Sequence, residues 1–413
     1  MLKLNSLDGN IFTVDKINDV TVKTNSGVYS RNDIIAKNRL ATCEYVGTNI
    51  NKCNPKEKYN SRLAGSGVDY ATLSRVAQER KILFCAAQAY KAMGINEVPT
   101  DFKAVKHDTS LSKNPIFLAT LAAIDREVLQ PLFFSVIDDV AMGGLMHWEA
   151  AELGATKEIT VGSNDTFIFE DSAWGSGRST SKNYLYAKTI TLTPKMYSCN
   201  ATIKWYQDIV NGDAGRYYAA IIRGMWNKIY VQFLGYLKGA VNNTALIPAG
   251  LVKTTYNSDN WNSLTTLVAA ANGLRRENLV AFGGISVLSK VLPTDGAAGA
   301  ITGLQYGLGE EWFKQGYLPN ASGVQLLEVL PAIVPGTQNS SLETIDLGKN
   351  IFISGKAGDS YAPMYGVYAE GSPITLELTP RETANFEIDI NVGAMFDVKP
   401  VFASKIGVIT NVG

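Results

Sequence analysis

Residues that carry catalysis or metal binding are scarce in this sequence, which has two histidines and four cysteines among 413 residues. His107 lies in a polar segment and His147 precedes Trp148, and neither has a second histidine at the spacing of a metal site. No Cys-x-x-Cys pair occurs, which predicts free thiols in a reducing compartment. We therefore expect no catalytic residue, no metal, no cofactor and no enzymatic activity.

An excess of charge of one sign is also missing, because Lys and Arg together number 38 and so do Asp and Glu. A chain without net charge has no overall positive field to attract phosphate, so a dedicated nucleic-acid-binding function is disfavoured. The richest apolar stretch, 217–237, is interrupted by Arg223, Asn227, Lys228 and Gln232. A membrane helix needs about 20 apolar residues, so this stretch predicts a core helix.

Three segments, 69–93, 115–139 and 213–239, carry apolar residues at helical spacing. Gly94 ends the first predicted helix, and Pro131 is expected to bend or divide the second. The third would be about 40 Å long at 1.5 Å per residue, so it needs cover along its length. Its apolar stripe, which we expect to face the core, consists of Tyr218, Ile221, Ile222, Met225, Ile229 and Phe233.

The remaining segments divide into an N-terminal part with little helical pattern and a C-terminal part with short elements. Weak β patterns precede Ser30, and the polar residues 38–67 predict a linker or a strap on the surface. From Trp261 the chain alternates between helix and strand patterns, and from Ile351 it is nearly all β. A chain of this length predicts two lobes, and this order predicts that an α/β lobe interrupts the first.

A long hairpin is predicted between the second and third helices. Strand-like flanks enclose the polar sequence "FEDSAWGSGRSTSKNYLYAK" at 169–188, although hairpin loops usually have two to five residues. An isolated two-stranded ribbon is marginal in water, so this one needs support, which a neighbouring copy can give. The residues expected to make that intersubunit contact are Asp171, Trp174, Arg178, Lys182, Tyr184 and Lys188.

This order of elements resembles the major capsid proteins of tailed bacteriophages with the Hong Kong 97-type fold. The resemblance rests on the hairpin, the helix opened by "GDAGRYYAAIIRGMWNKIY", the lobe opened by "WNSLTTLVAAANG" and the closing "VKPVFASKIGVITN". It implies an α+β chain with an N-terminal extension and arm (1–112), a helical connection (113–156), an extended loop (157–193), a peripheral domain with a spine helix (194–259), an axial domain (260–363) and C-terminal strands of the peripheral domain (364–413).

The resemblance also implies the function and the partners of the chain. Copies of the protein would assemble as pentamers and hexamers into an icosahedral shell that encloses double-stranded DNA, in the host cytoplasm. Further partners would be the portal and decoration or scaffolding proteins, with non-specific contact to DNA and no membrane. Two alternatives stay open: an encapsulin-like bacterial shell around a protein cargo, and a soluble α/β enzyme with a pocket near Gly283 and Gly284.

Overall fold

The computed structural model of the chain describes residues 4–5, 11–12, 22–24, 27–46, 70–95, 99–137, 145–152, 154–162, 187–205, 209, 214–241, 243–244, 246–291, 314–337, 340–355, 362–371, 373–381, 386–400 and 406–412. Two compact units divide the chain. The first consists of Met1–Val136, Met196–Met225 and Gly371–Met395, and the second of Ile137–Lys195, Trp226–Glu370 and Phe396–Gly413.

Helices and strands both contribute to the described residues, which confirms the predicted α+β class. The helices are α1 (Arg31–Val46), α2 (Tyr70–Ala92), α3 (Phe102–Val105), α4 (Pro115–Ile137), α5 (Ala214–Ala240), α6 (Ser258–Ala271) and α7 (Ile285–Leu288). The strands are β1 (Leu4–Asn5), β2 (Ile11–Phe12), β3 (Val22–Thr24), β4 (Gly27–Tyr29), β5 (Met146–Ala151), β6 (Lys157–Gly162), β7 (Ala187–Leu192), β8 (Lys195–Lys204), β9 (Val252–Lys253), β10 (Leu279–Gly283), β11 (Asn320–Ala321), β12 (Val324–Glu328), β13 (Ala332–Ile333), β14 (Thr344–Ile345), β15 (Ile351–Gly355), β16 (Met364–Ala369), β17 (Ile374–Pro380), β18 (Glu387–Pro400) and β19 (Gly407–Ile409).

The three predicted long helices are α2, α4 and α5, each within two residues of its expected bounds. Asn114 caps α4, because its Oδ1 accepts hydrogen bonds from the backbone N–H groups of Ile116 at 2.9 Å and Phe117 at 3.1 Å. Pro131 lies inside α4 and does not divide it. Leu132 and Phe133, directly after the proline, are fully buried, so packing holds the helix together where one backbone hydrogen bond is lost.

The N-terminal part of the chain is more helical than predicted. Residues 38–46, expected in a polar strap, belong to α1. Two polar side chains in this stretch are buried with internal partners: Asn38 donates to the carbonyl oxygen of Ile34 at 2.8 Å, and Thr42 donates to that of Asn38 at 2.8 Å. Further along, Phe84, Val105 and Leu111 are fully buried. The predicted extension 1–112 is therefore in part a packed piece of the first unit.

The second unit contains a six-stranded sheet with the order β11-β12-β10-β15-β19-β9. Every residue of β10 is buried, and Phe282 stacks on Phe352 at 5.6 Å between ring centroids. The last strand, β19, lies between β15 and β9, so part of the segment 364–413 belongs to the same sheet as β10 and β15. The close packing of β19 explains its place, because a Cβ at Gly407 would meet the side chains of Val268 and Leu264 of α6 at 2.7 and 2.9 Å.

A second sheet has the order β17-β18-β16-β5, and β8 also pairs with β18. The first half of the long strand β18 pairs with β17 in the first unit, and Phe396–Pro400 pairs with β16 in the second. Strand β5 runs parallel to β16, so residues 146–151 are a strand and not part of the helical connection predicted for 113–156. Strand β16 lies more than 200 residues after β5 in sequence, so the local pattern around 146–151 does not predict this pairing.

Candidate functional site

The predicted hairpin exists at its base, where β6 and β7 form an antiparallel ladder from Lys157 opposite Leu192 to Gly162 opposite Ala187. Lys188 lies in β7, opposite Val161. The other five residues expected to make the intersubunit contact, Asp171, Trp174, Arg178, Lys182 and Tyr184, lie outside the described residues. The part that can be examined is thus the hairpin root, which we define as β6 and β7 with the side chains that contact them in the second unit.

The hairpin root is anchored by apolar contacts within its own unit. Leu192 is fully buried and Ile159 nearly so, and both pack in one cluster whose other members are Ala151, Ala362, Tyr365 and Val367, with Ile190 partly buried against it. Burying an aliphatic side chain of this size contributes on the order of 2 kcal/mol. The base of the hairpin is therefore packed against β5 and β16 of its own unit.

A polar group holds the β6 side of the root. Lys157 Nζ is 3.1 Å from a carboxylate oxygen of Glu149 in β5, and His147 Nε2 is 3.3 Å from the other oxygen. The His147 ring also packs against Tyr365 at 5.1 Å between centroids. Burial, and then the Glu149 charge, raises the pKa of Tyr365, so this phenol stays protonated. His147 thus has a packing role beside an ion pair.

Three charged residues hold the β7 side of the root, and we call Lys195, Asp397 and Lys399 the lysine–aspartate cluster. Lys399 donates a hydrogen bond from Nζ to the carbonyl oxygen of Thr191 in β7. Asp397 has a side chain only 5% exposed and lies 4.0 Å from the ammonium groups of both lysines. Sequence reasoning missed this cluster, although an acidic residue between the apolar positions 396 and 398 of a strand was a signal that could have revealed it.

The predicted stripe of α5 lies largely inside the protein. Tyr218, Ile221, Ile222, Ile229 and Phe233 are buried, while Met225 is half-buried. Near the middle of the helix, the Asn227 amide donates to the carbonyl oxygen of Ile333 and accepts from its N–H, both at 2.7 Å. This side chain fastens β13 to the helix within the second unit.

The first unit contains a buried charged pair that sequence reasoning also missed. Lys81 Nζ and Asp125 Oδ1 are 2.8 Å apart, and their side chains are 4% and 5% exposed. The hydroxyl of Tyr218 donates to the same Asp125 oxygen. Burial, followed by the Asp125 charge, raises the pKa of Tyr218 well above its ordinary value, so the hydroxyl remains a donor. Positions 81 and 125 belong to different helices, and no local motif links them.

A mainly apolar cavity lies beside this pair, and it is too small for a typical substrate. The cavity has a volume of about 40 Å³ and is lined by residues such as Ile82, Leu121 and Ile388. That space holds a few waters, whereas small-molecule sites usually measure several hundred Å³. The arrangement is that of a satisfied ion pair in a core.

The place suggested for an enzyme pocket is closely packed at Gly283. A Cβ at Gly283 would lie 3.2 Å from the carbonyl oxygen of Asn350 and 3.7 Å from the Ile351 side chain. Gly284 stands at the start of α7 and forms the turn out of β10. Within the described ranges, the structure brings no three His, Cys, Asp or Glu side chains together as a metal site, and no helix there is both long and apolar enough to span a bilayer.

Comparison with known proteins gives matches at the level of structure alone. No protein-family model matches the sequence, and no curated protein matches it. Among solved structures, the chain is similar to the mature capsid of bacteriophage PhiM1, with 12% identity, a TM-score of 0.41, and 65% of this chain and 85% of that chain covered. It is similar to the capsid of cyanophage Pam1, with 14% identity, a TM-score of 0.42, and coverage of 65% and 91%.

An encapsulin complex from Synechococcus elongatus is also similar, with 11% identity, a TM-score of 0.34, and 64% of this chain and 85% of that chain covered. Structures of other phages, such as the capsid of cyanophage P-SCSP1u and Mycobacterium phage Che8, are similar as well.

Proposed function

We propose that this chain is the major capsid protein of a tailed bacteriophage. In this proposal, copies assemble as pentamers and hexamers into the icosahedral head that encloses double-stranded DNA. The observation that carries the proposal is the hairpin root: apolar burial and lysine contacts on both of its sides fix the ribbon to its own unit. A hairpin fixed so firmly at its base is suited to hold a protruding segment in one direction.

The sequence between the paired strands supports the same proposal. Residues 170–183 are mostly Gly, Ser, Thr and charged side chains, and Trp174 is the large apolar side chain among them, so this stretch offers little apolar surface for burial against its own unit. Trp174, Arg178 and Tyr184 belong to the residue types that most often anchor protein interfaces. We propose that they contact a second copy together with Asp171, Lys182 and Lys188. Each contact can be modest, because a closed shell repeats it many times.

The order of elements agrees with the family that the sequence resembles. In this assignment α5 is the spine helix of the peripheral domain, and the six-stranded sheet belongs to the axial domain of 260–363, to which β9 and β19 add strands from outside that range. Zero net charge suits closely packed subunits, because many copies of equal charge would repel. The portal, decoration or scaffolding proteins and packaged DNA complete the set of proposed partners, in a virion assembled in the host cytoplasm.

Electron microscopy of the purified full-length chain tests the proposal. We expect closed particles from the natural sequence. Deletion of residues 172–181 should leave the circular dichroism spectrum unchanged and abolish or distort the particles. Normal particles from the deletion variant would contradict the role of the hairpin.

The content of native particles separates the two shell functions. A phage head should release double-stranded DNA on heating, whereas an encapsulin-like compartment should release a protein cargo. A monomer on gel filtration that turns over a small molecule would favour the enzyme.

A further inference from the structure

Asp397 places a carboxylate inside the second unit, beside the hairpin root. Its side chain is 5% exposed, and the neighbouring Phe396 and Val398 are buried as well. Removing a carboxylate from water costs free energy that nearby cations or hydrogen-bond donors must offset. Asp397 Oδ2 has no hydrogen-bond donor among the described residues, so its charge is balanced by the ammonium group of Lys399, 4.0 Å away.

Lys399 links this carboxylate to the hairpin. Its Nζ donates a hydrogen bond to the carbonyl oxygen of Thr191 in β7 while it stays near Asp397 Oδ2. Asp397 and Lys399 are two positions apart on β18, so their side chains leave the same face of the strand. The carboxylate therefore keeps the lysine on the side where β7 runs.

Lys195 reaches the same carboxylate from the chain that leaves the hairpin. It is the first residue of β8, and only Thr193 and Pro194 separate it from the end of β7. Its Nζ lies 4.0 Å from Asp397 Oδ1. The buried carboxylate of Asp397 thus attracts two lysines. Lys399 bonds to β7, and Lys195 lies just beyond the end of β7.

We propose that Asp397 is the positioning residue that sets the direction in which the hairpin leaves its unit, acting through Lys399 and Lys195. The inference rests on the proposed function, in which the hairpin of one copy reaches the next. Apolar packing is not directional and would allow the root to pivot. The buried carboxylate of Asp397 favours the arrangement that keeps the partly exposed ammonium groups of Lys399 and Lys195 close to it, and buried charges select one arrangement in this way in some proteins.

Hydrogen–deuterium exchange of the backbone amides of 187–192, measured on the full-length chain, tests the inference. Asp397→Asn should speed exchange by about tenfold, because Lys399 is no longer held beside β7 and its charged hydrogen bond to the Thr191 carbonyl oxygen is worth about that factor. Lys399→Met should give a similar change, and the double variant should add little to either, because the residues act as one network. Lys399→Arg should preserve slow exchange.

Asp389→Asn is the matched control, since Asp389 lies on the same strand but in the first unit, where it accepts a hydrogen bond from Thr202 at 2.8 Å. It should leave exchange at 187–192 unchanged. Unchanged exchange in Asp397→Asn would overturn the inference, and so would single-variant effects that add in full. If Asp397→Asn does not fold, the more exposed Lys399→Met and Lys195→Met carry the test, and slow exchange in both overturns it.

Electron microscopy of the same variants separates this inference from the proposed function. Distorted or missing particles from a folded variant with a loosened root would support it. Normal particles from that variant would overturn the link between root geometry and assembly. Failure of the natural sequence to form any particles would contradict the proposed function, and the exchange data would then decide the positioning role alone.

Discussion

Asn227 in the middle of α5 bonds both backbone groups of Ile333 in β13, with the donor and the acceptor distances each 2.7 Å. With one hydrogen bond donated and one accepted, the Asn227 amide makes the two backbone contacts that a neighbouring strand would make. It satisfies two backbone groups that would otherwise lose their partners. The link joins two elements more than 100 residues apart in sequence, and it is made by one side chain.

We predict that Asn227→Ala lowers the free energy of unfolding by about 2 kcal/mol. The reason is that two partly buried hydrogen bonds are lost and the backbone groups of Ile333 are left without their partner. Urea denaturation of the unassembled protein measures the change. Asn200→Ala, at an exposed position of β8, is the control and should stay within about 0.5 kcal/mol of the natural protein. Equal effects of the two substitutions would contradict the prediction.

The buried pair of Lys81 and Asp125 gives a second prediction. Lys81→Met should destabilise the chain by about 3 to 5 kcal/mol, because it leaves an uncompensated carboxylate in the core. The double variant Lys81→Met with Asp125→Leu should recover much of that loss, since no buried charge remains. Chemical denaturation measures both variants. A double variant that is less stable by the sum of the single effects would show that the two side chains do not act as a pair.

Burial of tyrosine predicts a loss of stability at high pH. Burial raises the pKa of Tyr256 from its ordinary 10.0 to about 12. Between these values the folded protein keeps a proton that the unfolded chain has lost. Tyr256 therefore contributes stability that is complete below pH 10 and is lost as the pH rises towards 12. Between pH 10 and 12, the free energy of unfolding should fall less steeply with pH in Tyr256→Phe than in the natural protein. Equal slopes in the two proteins would contradict the raised pKa of Tyr256.

Local pattern predicted the three long helices and much of the C-terminal β structure, and missed α1 and the contacts that depend on distant partners. The apolar spacing of α5 defined it to within one residue, and Gly94, with φ of 77°, follows the end of α2 where the sequence predicts a stop. Strand β5 depends on pairing with β16, and β19 depends on pairing with β15. In both cases the partner strand is not adjacent in sequence. The lysine–aspartate cluster also depends on strands that are distant in sequence, so no local spacing of residues predicts it.

The close approach of Trp148 to Gly366 gives a fourth prediction. These residues lie opposite each other on β5 and β16, and a Cβ at Gly366 would come within 2.4 Å of the Trp148 ring. Gly366→Ala should therefore cost about 1 to 3 kcal/mol through overpacking. Gly250→Ala is the matched control in the same unit, because a Cβ there meets nothing within 4 Å. Thermal unfolding of both variants measures the difference, and a Gly366→Ala protein as stable as the control would contradict it.

The last prediction concerns the apolar anchor of the hairpin root. Leu192 is fully buried there, so Leu192→Ala should cost about 2 to 5 kcal/mol by loss of packing. Thr189→Ala, at an exposed position of the same strand, should have little effect. Because the root is anchored within its own unit, the loss should appear in chemical denaturation of the unassembled protein. Leu192→Ala could instead alter only the yield of particles. The base of the hairpin would then depend on a neighbouring copy, which would contradict a root that is anchored within its own unit.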